Sequence, residues 1–275
     1  YRCEQALTAD AIRARNVGTL DRAQAQHIER DYDALGREVM HKAHDGSVTG
    51  KAYDAFGQQL SERRAAANEA QVRTQTWSYD QAGQKIAEAS GKASQQGLHD
   101  WRYQYDGAGR RIQATDINGN QRFYYYDADG QLTYQINSRG DVTAYLYNAF
   151  GEQTDEVKLA GRVNTTQLSG GFINSNLLNQ IRYNAEQDQH QRTVYGDGGE
   201  VMERTDGEGY SVRYYYNAFG ELAAEVRELQ QASDEQAGKA VVSTYQYDRR
   251  GLQTQRHQDV GGADVVVDQQ YDAFG

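Results

Sequence analysis

The chain has 275 residues and contains no proline, so any signature built around that residue is excluded. A single cysteine, Cys3, rules out an internal disulfide framework and leaves the redox compartment open. Leu, Ile, Val and Phe together number 45, about 16% of the chain, a share that alone points to disorder. No apolar stretch approaches the ~20 residues of a membrane span, and nothing resembles a secretory signal. Net charge is −10 with no basic stripe, which argues against nucleic acid as a partner. Gly-rich phosphate loops between a strand and a helix are absent, as is a serine elbow, so no cofactor is expected.

What is present is tyrosine, 21 residues of it. Such rings bury a large area while keeping a hydroxyl that stays wet or hydrogen-bonded. A thin, aromatic-rich core with partly solvated sheet faces follows. The motif Tyr-Asp/Asn-x-x-Gly occurs nine times, as Tyr32–Gly36, Tyr53–Gly57, Tyr79–Gly83, Tyr105–Gly109, Tyr126–Gly130, Tyr147–Gly151, Tyr216–Gly220, Tyr247–Gly251 and Tyr271–Gly275. A degenerate copy begins at Tyr195, and four of the resulting intervals are 21 residues long. Repetition of this kind means one supersecondary unit stacked on its neighbours.

The motif predicts a hairpin turn. Asp or Asn sits where a type I turn wants a side-chain acceptor, and Gly sits where the chain must reach positive φ. A type I turn followed by a left-handed Gly is a common three-residue hairpin connection with a bulge. Six copies carry an aromatic two residues before the motif Tyr (Trp77, Tyr103, Tyr124, Tyr145, Tyr214 and Tyr245), which period two places on the same strand face. Residues 131–151 read as a whole unit, with a second turn at Ser138–Gly140. Further second turns are expected at Asn118-Gly119 and Gly207–Gly209. The expected fold class is all-β, an array of antiparallel β-hairpins forming a curved, spiralling sheet. About ten hairpins advancing ~9.6 Å each give roughly 95 Å of strip with two edge strands to be paired or covered. The whole of 1–275 is expected to be one continuous repeat region, with 1–30 a divergent leading segment and 152–194 an irregular interruption. Within the interruption, a degenerate repeat around Tyr183 competes with an excursion that plugs the interior or docks another element. Ser61–Gln71 has the composition of a short helix. Because the sequence starts without Met and stops inside a motif copy, it is expected to be a piece of a longer shell.

Tyr-Asp-Ala-Phe-Gly at 53–57 and 271–275, with Tyr-Asn-Ala-Phe-Gly at 147–151 and 216–220, resembles the YD repeats of Rhs proteins. Similar repeats occur in shell-forming components of bacterial Tc toxins, in wall-associated bacterial proteins and, more distantly, in teneurins. The resemblance covers roughly residues 30–275, and the Phe-containing copies favour the bacterial Rhs type. It implies a β-strip that spirals into a hollow shell around a toxic C-terminal domain. It also implies delivery into a target cell by a secretion machine or translocation pore, hence a secreted or cell-surface destination. The autoproteolytic signature of some members contains Pro and is therefore missing. No segment resembles a toxin domain or an end cap, so the chain reads as mid-shell wall.

Candidate chemistry is sparse. His41 and His44 have the spacing of a weak metal pair without a third ligand; His27, His99, His190 and His257 are scattered singly. Asp127–Gly130 looks like the start of a calcium loop but lacks its remaining ligands, and Asp197–Glu200 reads the same way. Cys3 has no assignable His partner. No catalytic, metal or cofactor residues are assigned; the residues singled out are the motif tyrosines and glycines. The rings of Phe56, Phe150, Phe219 and Phe274 are expected to pack on an adjacent turn or the next tier, with cargo or carbohydrate contact as the alternative. Two functions fit. One is a structural, non-enzymatic shell segment whose partners are the rest of the shell, its enclosed toxin domain and secretion-system or toxin-complex components. The other is a surface-exposed module that binds carbohydrate or a partner protein. Homo-oligomerisation through exposed edge strands is a further route to burying them.

Overall fold

The computed structural model describes residues 28–68, 71–228, 240–260 and 263–272. Cys3, His27, Phe274 and Gly275 lie outside the described residues, as does most of the leading segment. Two compact units divide between Gln121 and Arg122.

The first unit carries β1 (Glu29–Tyr32), β2 (Glu38–Lys42), β3 (Val48–Tyr53), β4 (Gln59–Ala65), β5 (Val72–Tyr79), β6 (Lys85–Ser90), α1 (Gly91–Gln95), β7 (Trp101–Tyr105) and β8 (Arg111–Asp116). Each strand pairs antiparallel with the next. Ser61–Gln71 corrects the helical expectation: residues 59–65 are strand, hydrogen-bonded to β3 on one side and β5 on the other. Two neighbouring ladders outweigh the helix propensity of Arg63–Ala67, a preference worth only tenths of a kcal/mol per residue.

The second unit, joined at the start of β9 (Gln121–Tyr126), runs through β10 (Leu132–Ile136), β11 (Asp141–Tyr147) and β12 (Gln153–Arg162). It then leaves the ladder for β13 (Gly171–Phe172) and α2 (Ser175–Leu178). β14 (Gln189–Tyr195) returns to pair with β12, followed by β15 (Val201–Thr205), β16 (Ser211–Tyr216), β17 (Leu222–Glu228), β18 (Ala240–Tyr247), β19 (Gln253–Val260) and β20 (Ala263–Asp268). Every ladder is antiparallel except a two-residue parallel bridge from β13 to β9. Within both units the expected class, an all-β array of antiparallel hairpins, is what the backbone shows.

Among the described residues, insertions between motif copies fall in the connections opposite the motif turns of their own unit. The described motif turns keep one length, while the opposite connections absorb the extra residues between β4 and β5, Gly91–Asp100 and residues 163–188. The last of these forms the main core. Phe123 and Tyr125, Tyr134 and Ile136, Val142 and Ala144, and Val157 and Leu159 alternate inward along four strands. Val163, Leu168, Leu177 and Ile181 close over them, with Leu177 and Tyr125 fully buried. Asn174 caps α2 through Leu177 N–H, and Val163 N–H bonds Gly140 O at 2.9 Å. Tyr183 leads a turn in which Asn184 O accepts from Asp188 N–H, so the chain bends there without starting a hairpin. Gln187 stands where a motif copy has Gly, and a side chain disfavours the positive φ a bulged hairpin needs.

Candidate functional site

Each of the fully described motif turns is built from its own side chains. In the first, Gly36 N–H donates to Asp33 O at 3.0 Å and Asp33 N–H to Arg37 O at 2.9 Å. The Asp33 carboxylate accepts from Leu35 N–H and Arg37 N–H, both at 2.9 Å. Asn148 and Asn217 make the same pair of bonds through the amide oxygen. Gly36 through Gly251 hold φ between 78° and 90° in these turns, a region costly for side-chain-bearing residues. Backbone N–H donors, from Arg37 to Asp33 and from Leu252 to Asp248, hold these two carboxyls below the ordinary range.

The motif tyrosine has a second task that no sequence pattern disclosed. Its hydroxyl donates to a backbone carbonyl two residues past the glycine of the preceding turn. Tyr105 reaches Lys85 O at 2.7 Å, Tyr147 reaches Leu132 O at 2.9 Å, and Tyr247 reaches Leu222 O at 2.9 Å. Tyr53, Tyr79, Tyr216 and Tyr271 do the same to Glu38, Gln59, Val201 and Gln253. The degenerate copy behaves identically: Tyr195 bonds Gln153 O at 3.1 Å across the whole excursion. The accepting residue sits at the β-bulge, where the ladder shifts register. A bulge leaves backbone groups unpaired, and the next repeat's phenol supplies the missing donor. Burial pushes the Tyr147 and Tyr247 hydroxyls above the usual phenol range.

The aromatic two residues upstream adds a second tie in places. Tyr103 donates to Glu88 at 2.6 Å, with the Arg111 guanidinium 4.1 Å over the ring and the Lys85 ammonium 5.5 Å from it. Burial, then the Glu88 contact, raises the Tyr103 pKa. Burial also opposes ionisation of Glu88, but hydrogen bonds from Lys85 and Tyr103 outweigh it and lower its pKa.

The turn phenylalanines do not pack on an adjacent turn. Phe56, Phe150 and Phe219 are each 89% exposed. Adjacent turns stand ~9.6 Å apart, and the equivalent positions beside them are Leu35 and Ala82, Asp129 and Gly198, or Gly198 and Arg250. No neighbouring turn offers a ring to pack against. Among the described residues no group of three or more His, Cys, Asp and Glu could hold a metal. His41 lies at the end of β2 against Arg30, and His44 is in the following turn. No described helix is long and apolar enough to cross a membrane.

One concavity of about 830 Å³ lies in the second unit on the face that carries the motif tyrosines. Register places Thr193, Arg204, Val212 and Arg227 side by side across β14 to β17. Tyr195, Tyr210, Tyr214, Gln191, Asp206 and Glu228 also line the hollow.

No protein-family model matches the sequence, and no curated protein matches it. Among solved structures, a TcdB2–TccC3–Cdc42 crystal structure aligns over 88% of this chain and 16% of its own, at 13% identity and a TM-score of 0.42. The Tc holotoxin pore of Photorhabdus luminescens aligns over 88% of this chain and 15% of its own, at 13% identity and a TM-score of 0.40. A TcdB2–TccC3 structure gives 15% identity and a TM-score of 0.42, with this chain spanning 16% of its length.

Proposed function

We propose that this chain is a wall segment of a shell-forming YD-repeat polypeptide of the Rhs or Tc type, which encloses a C-terminal toxin domain for delivery to target cells. The observation that carries the reading is the hydroxyl tie from one hairpin to the one before, made by Tyr53, Tyr79, Tyr105, Tyr147, Tyr195, Tyr216, Tyr247 and Tyr271. It makes one repeat a docking platform for the next, so a strip lengthens by a recurring contact, as a wall requires. Its role is structural: a closed wall keeps an enclosed segment from proteases and cytosolic targets until release. Its partners are then the remaining shell, the enclosed domain, and a secretion system or toxin complex. Electron microscopy and limited proteolysis of the full-length gene product test this. A closed shell with internal density and a protease-resistant C-terminal fragment is expected; an open strip with a freely digested C-terminus overturns it.

A second reading, a surface module that binds carbohydrate or a partner protein, is favoured by one feature, the polar concavity of the second unit.

A further inference from the structure

We infer that the turn between β14 and β15, Gly196–Gly199, is a hinge: it is the tyrosine-led turn of the second unit that opens first, whatever the strip encloses.

Its counterparts carry fastenings that it lacks. In the motif copies at 147–151 and 216–220, the residue after the tyrosine binds the turn twice. Its side-chain oxygen accepts two backbone N–H groups, Asn148 from Phe150 and Glu152, Asn217 from Phe219 and Glu221. Its amide nitrogen donates to the carboxylate just past the turn glycine, Asn148 to Glu152 at 2.6 Å and Asn217 to Glu221 at 2.7 Å. Where that residue is Asp, the partner is matched to it: Arg37 donates to Asp33, Gln84 to Asp80 and Arg110 to Asp106.

The degenerate copy keeps one member of the pair without the other. Glu200 stands where Glu152 and Glu221 stand, but Gly196 takes the place of the asparagine. Two backbone bonds remain, Gly196 N–H to Glu200 O at 2.8 Å and Gly199 N–H to Gly196 O at 3.0 Å. The N–H groups of Gly198 and Glu200 have no acceptor among the described residues, and the Glu200 carboxylate bonds none of them. The nearest atoms to a Cβ built at Gly196 all belong to the Glu200 carboxyl, so that group leans into the space its partner would fill. Glycine at 196 and 198 also widens the conformations open to the released chain. The tie beside this turn is weaker too: Tyr195 to Gln153 O is exposed, while those of Tyr147 and Tyr216 are half-buried. Sparsely fastened, solvent-exposed segments are where local opening begins. The ladder resumes on β14 after the excursion, so opening here frees β15 and the strands beyond it from the covered core.

Hydrogen exchange of the full chain, read amide by amide, tests the hinge. The Gly196 and Gly199 amides make the same backbone bonds as Asn148 and Gly151, or Asn217 and Gly220, so unequal protection reports opening. Loss of the side-chain fastenings should lower protection at Gly196 and Gly199 roughly tenfold or more against both other turns. Gly196→Asn should restore it to their level, because residue 196 lies outside the left-handed region and Glu200 is in place to accept the new amide. Asn217→Gly should impose the same loss on the turn at 217–220, and gives the comparison should Gly196→Asn misfold. Equal protection of the three turns in the unaltered chain overturns the hinge without any variant. Low protection at Gly196 that a folded Gly196→Asn chain retains overturns the missing asparagine as its cause.

Discussion

Replacing Tyr147 with Phe deletes one hydroxyl and leaves the ring. The lost bond is 2.9 Å long, to Leu132 O in a half-buried setting. A net intramolecular hydrogen bond is worth about 0.5–1.5 kcal/mol. At about 2–4 °C per kcal/mol for chains of this size, the single variant should melt roughly 1–6 °C lower. The same change at Tyr216 and Tyr247 removes bonds to Val201 O and Leu222 O, which share no partner with Leu132 O. Tyr216 pairs with Leu222 across the ladder, so only the Tyr147 effect is independent of the other two; with near-additive losses the triple variant should lose about 1.5–4.5 kcal/mol. Tyr215→Phe is the control: Tyr215 is exposed and its hydroxyl bonds no described residue. Urea titrations followed by far-ultraviolet circular dichroism give the midpoints. If the triple variant and the Tyr215→Phe control unfold at the same urea concentration, the tie between hairpins contributes nothing and the account of the wall fails.

Two other outcomes follow from the turns. Gly140→Ala should destabilise by far more than Gly220→Ala: both have φ near +80°, but a Cβ at 140 would meet Val163 O at 2.1 Å, whereas at 220 it meets nothing within 4 Å. The φ cost alone is about 1–2 kcal/mol, and denaturation midpoints that rank the two equally would refute the close approach. Acid should weaken the fold through Asp33 and Asp248, whose folded pKa values are depressed. Because the unfolded chain then binds more protons, their contribution is complete above about pH 4 and is lost as pH falls through the lowered values. Asp248→Asn should keep its turn, as Asn148 and Asn217 do, and show a smaller drop in melting temperature between neutral pH and about pH 3. An unchanged drop would remove Asp248 from the explanation.

The turns were legible because their chemistry is local: Asp or Asn, two residues, then Gly is a complete set of instructions within five positions. Degenerate Tyr195 was legible for the same reason. Strand faces could also be read, since Trp77 and Tyr79 or Tyr103 and Tyr105 alternate with period two. The hydroxyl ties were not, because the acceptor is a backbone carbonyl 15 to 42 residues upstream that carries no residue identity. Tyr125 and Tyr134, both buried in the core, lie outside the motif tyrosine position, and their burial depends on an excursion whose own sequence has no clean alternation. Residues 61–65 misled because composition was weighed without the two strands that flank them. The concavity escaped for a related reason: Arg204 and Arg227 are distant in sequence and are aligned, on either side of Val212, only through register.

Length variation confined to one margin has a consequence for how such a chain changes over time. Residues added between β6 and β7, or between β12 and β14, leave the ties of Tyr105 and Tyr195 that span them undisturbed. A bound spine with a loose fore-edge accepts new pages without resetting the old ones. Novel decorations, the α2 cover among them, can be acquired singly at that fringe while the rest of the strip keeps its pitch.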